Sequence, residues 1–322
     1  MTLSISLVTF NGAKLIRACL ESVCRQTLRD VEVIIVDNAS TDDTVAIVRE
    51  ICPNAIIISN KKNLGFAAAH NQAIAKATGE YILVLNQDAS LEPEYCEKLV
   101  DFMKKNPSVG SATGTIVRCE SLTERPKNPI IDSQGMFLKN RYFVRLLGEG
   151  EAYKEGEREP KEVFGIPATV ALYRKSALDD VALPLDGRHE VFDEDFFMYK
   201  EDVDLAYRLQ WRGWKSYLVP DAHCWHIRTK RGGSRPHRWI NELSYRNTIL
   251  CEWKNISFDL FVWVWPSIVS YEAAKLLYSL LREPSSLLRI RDLWRLRSRM
   301  KRKRAWIMRN RKADPKELLK FY

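Results

Sequence analysis

Y-I-L-V-L-N-Q-D, residues 81–88, is the stretch on which the fold turns. Five apolar residues run straight into Asn86, Gln87 and Asp88. An unbroken apolar run of this length reads as a strand covered on both faces, as in a parallel sheet. A carboxylate at its carboxyl end stands where open α/β sheets bind ligands. A polar strand end that merely caps the next segment fits the same eight residues, and only the flanking chain separates the two readings.

On the N-terminal side, Leu3–Phe10 reads as a strand broken by Asn11-Gly12, and Ala13–Gln26 follows with helical spacing of Leu15, Ile16, Cys19, Leu20 and Val23. Val31–Val36 is a second strand ending on Asp37. A polar turn, residues 38–43, supplies cap residues for a helix over Thr44–Ile51. Ala55–Ile58 is a third strand, and Asn63-Leu64-Gly65-Phe66 precedes an Ala-rich helix over Ala67–Ala77. Strands alternating with helices predict βαβ units, a mostly parallel sheet and right-handed crossovers. Each strand delivers polar groups at its carboxyl end: Thr9 and Asn11, then Asp37, then Asn60 or Asn63, then Asp88. A series of this kind along one sheet edge points to a nucleotide crevice rather than to caps. No Gly-rich dinucleotide fingerprint follows the first strand, and no GxxxxGK[ST] is present, which argues against a Rossmann dehydrogenase and a P-loop enzyme.

On the C-terminal side, Pro93–Asn106 is a helix and Val109–Val117 a strand. Residues 120–162 read as an irregular insertion or hairpin facing substrate, with short strand-like pieces at Gly135–Leu138 and Tyr142–Leu147. Asp193 to Asp204 is the region densest in carboxylates, and Glu201 and Asp202 open a helix over Glu201–Arg212. Acidic residues at a helix start often only complement its dipole. Six carboxylates in twelve residues, interleaved with Phe and Tyr, exceed what one cap needs, and a carboxylate at a rigid helix start suits a general base. Asp204 and Arg208, one turn apart, read as a structural pair. After a strand over Trp214–Val219, the basic, glycine-containing run 228–234 reads either as a phosphate-holding loop or as a solvated one.

The 322 residues can bury a full core, and their composition, 46% hydrophobic and 28% charged, is ordinary for a folded protein. The N-terminus has no basic region and no small-residue cleavage pattern, so no signal peptide is expected. Seven cysteines without paired spacing predict reduced thiols and a cytoplasmic location. His223, Cys224 and His226 match zinc spacings poorly. Residues 282–312 hold 13 Lys/Arg against Glu283 and Asp292, a net +11; since the whole chain carries +9, the remainder carries 9 − 11 = −2. The basic character therefore belongs to the C-terminus.

The chain resembles glycosyltransferase family 2, with the GT-A fold. The resemblance rests on V-T-F-N-G (8–12), V-D-N-A-S-T-D-D (36–43), N-L-G-F-A-A-A-H-N (63–71), L-V-L-N-Q-D-A (83–89), E-D-V-D-L-A-Y-R (201–208), the P-D-A…H segment (220–226) and Y-R-N (245–247). I-D-S-Q-G-M (131–136) and G-E-G (148–150) bring it nearest to bacterial rhamnosyltransferases of cell-surface polysaccharide assembly. The resemblance implies an inverting, metal-dependent transferase. Thr9, Asn11 and Asp37 would hold the nucleoside. Asn63, Gly65 and Asn71 would wall the donor, and Asn86, Gln87 and Asp88 would stand for the family's D-x-D. Asp88 and His226 would hold Mg²⁺ or Mn²⁺ on the diphosphate, and Asp202, beside Glu201, would be the catalytic base. Two positions depart from the family pattern: Asn86 replaces the first D-x-D carboxylate, and Ala69 stands where Gly is frequent.

Two further expectations concern organisation. Residues 1–255 form the GT-A domain, with a nucleotide-sugar half to about residue 117 and an acceptor half over 118–255. Residues 256–322 form a basic, amphipathic, helical, membrane-associating region. Leu260–Leu281 is about long enough to span a bilayer, but Pro266, Glu272 and Lys275 interrupt it and its aromatics favour the interface. The expected partners are dTDP-L-rhamnose or a UDP- or GDP-sugar, a saccharide or polyprenyl-diphosphate-linked acceptor, and the anionic inner face of the cell membrane. No nucleic-acid module accompanies the basic tail, so nucleic acid is not expected as a partner.

Overall fold

The computed structural model describes residues 1–139, 143–154, 156, 159–228 and 238–321. The first half alternates as the sequence predicts: β1 (Leu3–Thr9), α1 (Ile16–Cys24), β2 (Val31–Asp37), α2 (Thr44–Ile51), β3 (Ile56–Ser59), α3 (Gly65–Lys76), β4 (Tyr81–Asn86), β5 (Ala89–Leu91), α4 (Tyr95–Lys105) and β6 (Val109–Arg118). Short strands follow: β7 (Ile130–Ser133), β8 (Met136–Lys139), β9 (Phe143–Leu146), β10 (Lys161–Val163) and β11 (Val170–Arg174). Then come α5 (Lys175–Val181), β12 (Leu183–Leu185), β13 (Arg188–Glu190), α6 (Glu201–Trp211), β14 (Lys215–His226), α7 (Arg238–Asn255), α8 (Phe258–Arg282), α9 (Ile290–Asn310) and α10 (Pro315–Leu319).

The central sheet runs β10-β14-β6-β11-β4-β1-β2-β3. β4, β1, β2 and β3 are mutually parallel, as are β6 and β14. β11 lies between β4 and β6, antiparallel to both. That placement explains why Tyr81–Leu85 is wholly buried: β1 and β11 flank it in the sheet, and apolar clusters cover both faces.

One feature of the second half differs from the sequence reading. The strand expected over Trp214–Val219 continues to His226, and its register against β6 shifts between Leu218 and His223. The irregularity lets Pro220, which has no amide hydrogen, sit inside a strand. The hairpin alternative for 120–162 is the one observed: β8 pairs with β9, while β7 joins β6.

Residues 256–322 share an apolar core with the preceding segment. Met136, Phe164, Trp211 and Leu250 are buried in one cluster with Leu260, Met300, Ile307 and Leu318. The backbone amide of Leu138 donates to Phe321 O at 3.0 Å. Beneath this core lies a buried ionic cluster. Lys303 of α9 contacts Glu190 (3.1 Å), Asp193 and Asp195 (2.9 Å), while Lys254 of α7 contacts Asp193 and, at 2.7 Å, Asp204. Asp204 also receives Arg208 at 2.9 Å, so the pair expected from spacing is present, and it is buried.

Candidate active site

Sheet register assembles the first part of the site. Thr9 lies opposite Asp37, and Val8 opposite Asn86, so the ends of β1, β2 and β4 share one edge. Gln87 ties two of these ends together: its Oε1 accepts from Thr9 Oγ1 at 2.6 Å and from the Phe10 amide at 3.2 Å, and its Nε2 donates to Phe10 O at 3.3 Å. Gly12 allows that closeness, because a Cβ there would stand 2.2 Å from Gln87 Oε1. Asn11, at φ 46°, accepts from the Thr41 amide at 2.9 Å, and Asp37 accepts from the Ser40 amide at 3.1 Å. The polar turn 38–43 therefore closes against the strand ends, with Asp37 only 5% exposed.

The donor-wall candidates sit at the α3 end. Asn63 Oδ1 accepts from the Gly65 amide at 2.8 Å. Gly65, at φ +83°, meets the Phe197 carbonyl so closely that a Cβ would stand 2.4 Å from it. Asn71 bonds both ways to the backbone of Phe192, at 2.8 and 2.9 Å, and holds the carboxylate-rich loop against α3.

Asp88 and His226 meet because β5, directly after Asp88, pairs antiparallel with the end of β14. His226 Nε2 lies 3.5 Å from Asp88 Oδ1, and that buried oxygen has no hydrogen-bond partner. His226 Nδ1 lies 2.8 Å from Asp132 Oδ2, and Asp132 is held by Arg118 at 2.9 Å and Arg228 at 2.8 Å. Glu149 bridges the same two arginines, at 3.2 and 2.7 Å. Burial pulls the His226 imidazole down, but the hydrogen bond to Asp132 and the nearby negative charges of Asp88 and Asp132 outweigh it and carry it to about 9. Asp132 pays a desolvation penalty for its burial, yet His226 and the arginines hold it far below the usual carboxylate range.

These residues fit a divalent cation. The imidazole is oriented by a carboxylate on its far nitrogen, as metal-bound histidines usually are, and it aims Nε2 at an orphaned carboxylate oxygen; a cation bound there would displace the Nε2 proton that the surrounding carboxylates favour. An unpaired buried oxygen is otherwise costly. Among the described residues no three His, Cys, Asp or Glu side chains form a closed ion site. A cation bound here would therefore need oxygen ligands from its substrate, as Mg²⁺ and Mn²⁺ commonly take from phosphates. His223 turns instead to Tyr153 (3.0 Å), and Cys224 is buried in the core. Of the candidate phosphate loop 228–234, residues 229–234 lie outside the described residues.

Glu201 and Asp202 start α6 after a backbone with Phe197, Tyr199 and Lys200 all at positive φ (65°, 70° and 74°). Asn247 of α7 stabilises this left-handed run: its Nδ2 lies 2.9, 2.8 and 2.8 Å from the carbonyls of Phe196, Met198 and Tyr199. Asp202 Oδ1 accepts from the Val203 amide at 2.8 Å, and Oδ2 lies 3.5 Å from the Ala168 amide. The neighbouring Thr169 carbonyl accepts from the Asn86 amide at 3.0 Å. Two adjacent residues, 168 and 169, thus link the acidic pair to the strand end that carries Asp88. Burial raises the Asp202 carboxyl above its ordinary value. Burial and the Asp202 charge raise Glu201 to about 8, and its buried Oε2 has no partner.

The Asp88–His226 pair and the acidic pair Glu201–Asp202 thus both flank the end of β4, on a sheet whose mostly parallel order is that of the GT-A fold. The chain belongs to glycosyl transferase family 2, whose model matches residues 4–182. It is 29% identical over 245 residues, covering 71% of this chain and 77% of the relative, to an N-acetylglucosaminyl-diphospho-decaprenol L-rhamnosyltransferase of Mycobacterium tuberculosis. It is 25% identical over 221 residues to a poly-beta-1,6-N-acetyl-D-glucosamine synthase of Staphylococcus aureus, covering 68% of this chain but only 48% of that protein. Among solved structures, GalNAc-T7 with UDP, GalNAc and Mn²⁺ superposes at TM-score 0.61 and 14% identity, covering 78% of this chain and 47% of that one. S. aureus TarS 1–349 with UDP superposes at 0.53 and 18%, covering 79% and 66%. At such identities the structural likeness speaks for the fold.

Asp132, Asn247, Lys254 and Lys303 had no assigned part in the sequence reading. Asp132 and Asn247 lay inside quoted motifs, I-D-S-Q-G-M and Y-R-N. Lys303 carried a usable signal, because it falls on the buried stripe of α9 with Met300 and Ile307.

Proposed function

We propose that this chain is an inverting, cation-dependent transferase that moves L-rhamnose from dTDP-L-rhamnose to a hydroxyl of a saccharide acceptor carried on polyprenyl diphosphate. The observation that carries the reading is the placement of Asp202. Its carboxylate, raised by burial, stands two backbone residues from the strand end bearing Asp88. Asp202 takes the proton of the acceptor hydroxyl as that oxygen bonds to the anomeric carbon. The bond from that carbon to the diphosphate oxygen breaks, and the nucleoside diphosphate leaves with the electron pair. One displacement inverts the configuration, and no enzyme nucleophile is needed. Glu201, kept protonated near neutral pH by its burial, places no second charge beside the base.

A divalent cation, Mg²⁺ or Mn²⁺, with Asp88 and His226 as its protein ligands, would neutralise the charge growing on the leaving diphosphate. Thr9, Asn11 and Asp37 bind the nucleoside in this reading, and Asn63, Gly65, Asn71, Asn86 and Gln87 shape the donor cavity. The rhamnose assignment draws on similarity to the mycobacterial enzyme. A UDP-sugar donor is the second reading, favoured by the similarity to the poly-N-acetylglucosamine synthase. The protein would work in the cytoplasm, peripheral on the inner face of the cell membrane, where a polyprenyl-linked acceptor lies.

Incubating the protein with Mn²⁺, each nucleotide sugar in turn and a short polyprenyl-diphosphate saccharide tests the proposal. Transfer from dTDP-rhamnose, lost in Asp202→Asn with donor binding retained, is the expected result. Full transfer in that variant removes Asp202 as base, and transfer from a UDP-sugar alone replaces the donor.

A further inference from the structure

The exposed surface of α8 is out of keeping with a helix that faces water. Over 25 residues it buries only Leu260, Val264 and Ser279. Phe258, Val262, Trp265, Val269, Ala273, Leu276 and Leu280 recur at spacings of three and four, so they line one face. All seven are exposed, Phe258 to 78%. Trp263, Leu277 and Leu281 widen the stripe, and Leu288 and Trp294, 73% and 66% exposed, follow it in the chain. An exposed apolar helix face of this kind marks an interaction site.

The charges that interrupt Leu260–Leu281 in the sequence are only partly exposed: Glu272 borders the stripe and Lys275 lies away from it. Glu272 and Lys275 pair with each other at 2.7 Å, and Lys275 stands over the Tyr245 ring of α7. Among the described residues no helix is long and apolar enough to cross a membrane. The flanking charge has one sign. On α9, Arg291, Arg295, Lys301 and Arg309 are exposed and have no acidic partner among the described residues. Helical spacing puts them on the side that carries Trp294, opposite the buried Met300, Lys303 and Ile307.

We infer that the outer face of α8, with Leu288, Trp294 and the outward arginines and lysine of α9, is an in-plane docking surface for an anionic lipid bilayer. The inference rests on the lipid-linked acceptor proposed above. An apolar stripe rich in Trp, beside unpaired basic residues, matches acyl chains below headgroups and anionic phosphates at their level. A second copy of the chain would bring the same unpaired positive charges together. The lysines also divide their labour. Lys303 fixes α9 to the carboxylate-rich segment Glu190–Asp195, whereas the outward residues meet lipid. Docking would hold the plane of the bilayer at a fixed place relative to the loop that sets Asp202, through α7 and Asn247.

The test uses the full chain without donor, sedimented with vesicles of mixed phosphatidylglycerol and phosphatidylcholine or of phosphatidylcholine alone. Binding to the anionic vesicles, weakened by salt, is expected. The variant Trp265→Gln/Leu276→Gln/Leu280→Gln should reduce it tenfold or more, and Arg295→Glu/Lys301→Glu should reduce it about fivefold or more per charge changed. Both variants alter exposed side chains, and an unchanged melting temperature verifies folding. Both should transfer to a soluble short-chain acceptor at the wild-type rate and fail on acceptor embedded in vesicles, which separates failure of docking from failure of the proposed reaction. Wild-type protein left in the supernatant at low salt overturns the inference. So does a dimer in solution that the apolar variant dissociates while vesicle binding stays absent.

Discussion

Two buried clusters of opposite charge lie in this molecule, and they differ in what they leave unmatched. Around Asp193, every carboxylate that touches Lys254 or Lys303 does so within 3.1 Å, and the two lysines are themselves buried. Around Asp88, His226 stands 3.5 Å away and one carboxylate oxygen has no hydrogen-bond partner. The first cluster is closed by protein except at Glu190 Oε1, which has no hydrogen-bond partner but has Arg299 3.7 Å away, and it joins the C-terminal helices to the carboxylate-rich segment Glu190–Asp195. The second is oriented by protein through Asp132 but left open on the side of the sheet edge. In the first cluster two buried cations answer the carboxylates; in the second no lysine or arginine reaches Asp88 among the described residues.

The largest effects should come from breaking the closed cluster. Lys303→Met leaves Asp193 and Glu190 short of a positive partner in a buried place, and should cost about 3–5 kcal/mol of stability. Chemical denaturation measures it, and a change below about 1 kcal/mol would mean that water or rearrangement compensates. For the same reason, removing residues 256–322 altogether would uncover Asp193, so truncation is a poor probe of the C-terminal region.

In the acidic pair the effect should fall on rate. Asp202→Asn should lower kcat by about 10²–10⁴ with the melting temperature nearly unchanged. A base works only when ionised, and burial raises Asp202 above the ordinary carboxylate value. In wild type, kcat should therefore climb with pH through an acid limb displaced above the usual aspartate range. A limb at the usual value would show the carboxylate to be solvated during turnover.

Intermediate effects should come from the groups that orient others. Asp132→Asn keeps the shape but weakens the hold on His226 Nδ1, and should reduce cation affinity about 10–100-fold without touching the nucleoside. Asn247→Ala removes the donor to three carbonyls of the left-handed run. It should lower kcat more than it raises the KM for the donor, because the run leads directly into Asp202, whereas it meets the donor-wall candidate Gly65 only through Phe197. Equal loss in both parameters would make Asn247 a general prop of the structure.

The legibility of these regions followed the range of the interactions. The strand ends Thr9, Asp37 and Asp88 were readable because βαβ alternation places every carboxyl end on one edge. Glu201 and Asp202 were readable as a helix start. Asp132 was not: it reaches His226, 94 positions away, through antiparallel pairing of β7 with β6, which leaves no local pattern. The insertion of β11 between β4 and β6 was hidden in the same way. The basic tail misled by composition, since its uniform charge conceals that Lys303 faces inward while Arg291, Arg295, Lys301 and Arg309 face out. Only the helical period of α9 distinguishes them.

The central claim is that the open cluster at Asp88 holds a cation on the donor diphosphate. Calorimetric titration of dTDP-rhamnose into wild type and Asp88→Asn, with and without Mn²⁺, tests it most directly. The account predicts binding to wild type that strengthens with Mn²⁺, and a variant that folds normally but gains nothing from the ion. Equal enhancement by Mn²⁺ in both proteins would contradict it.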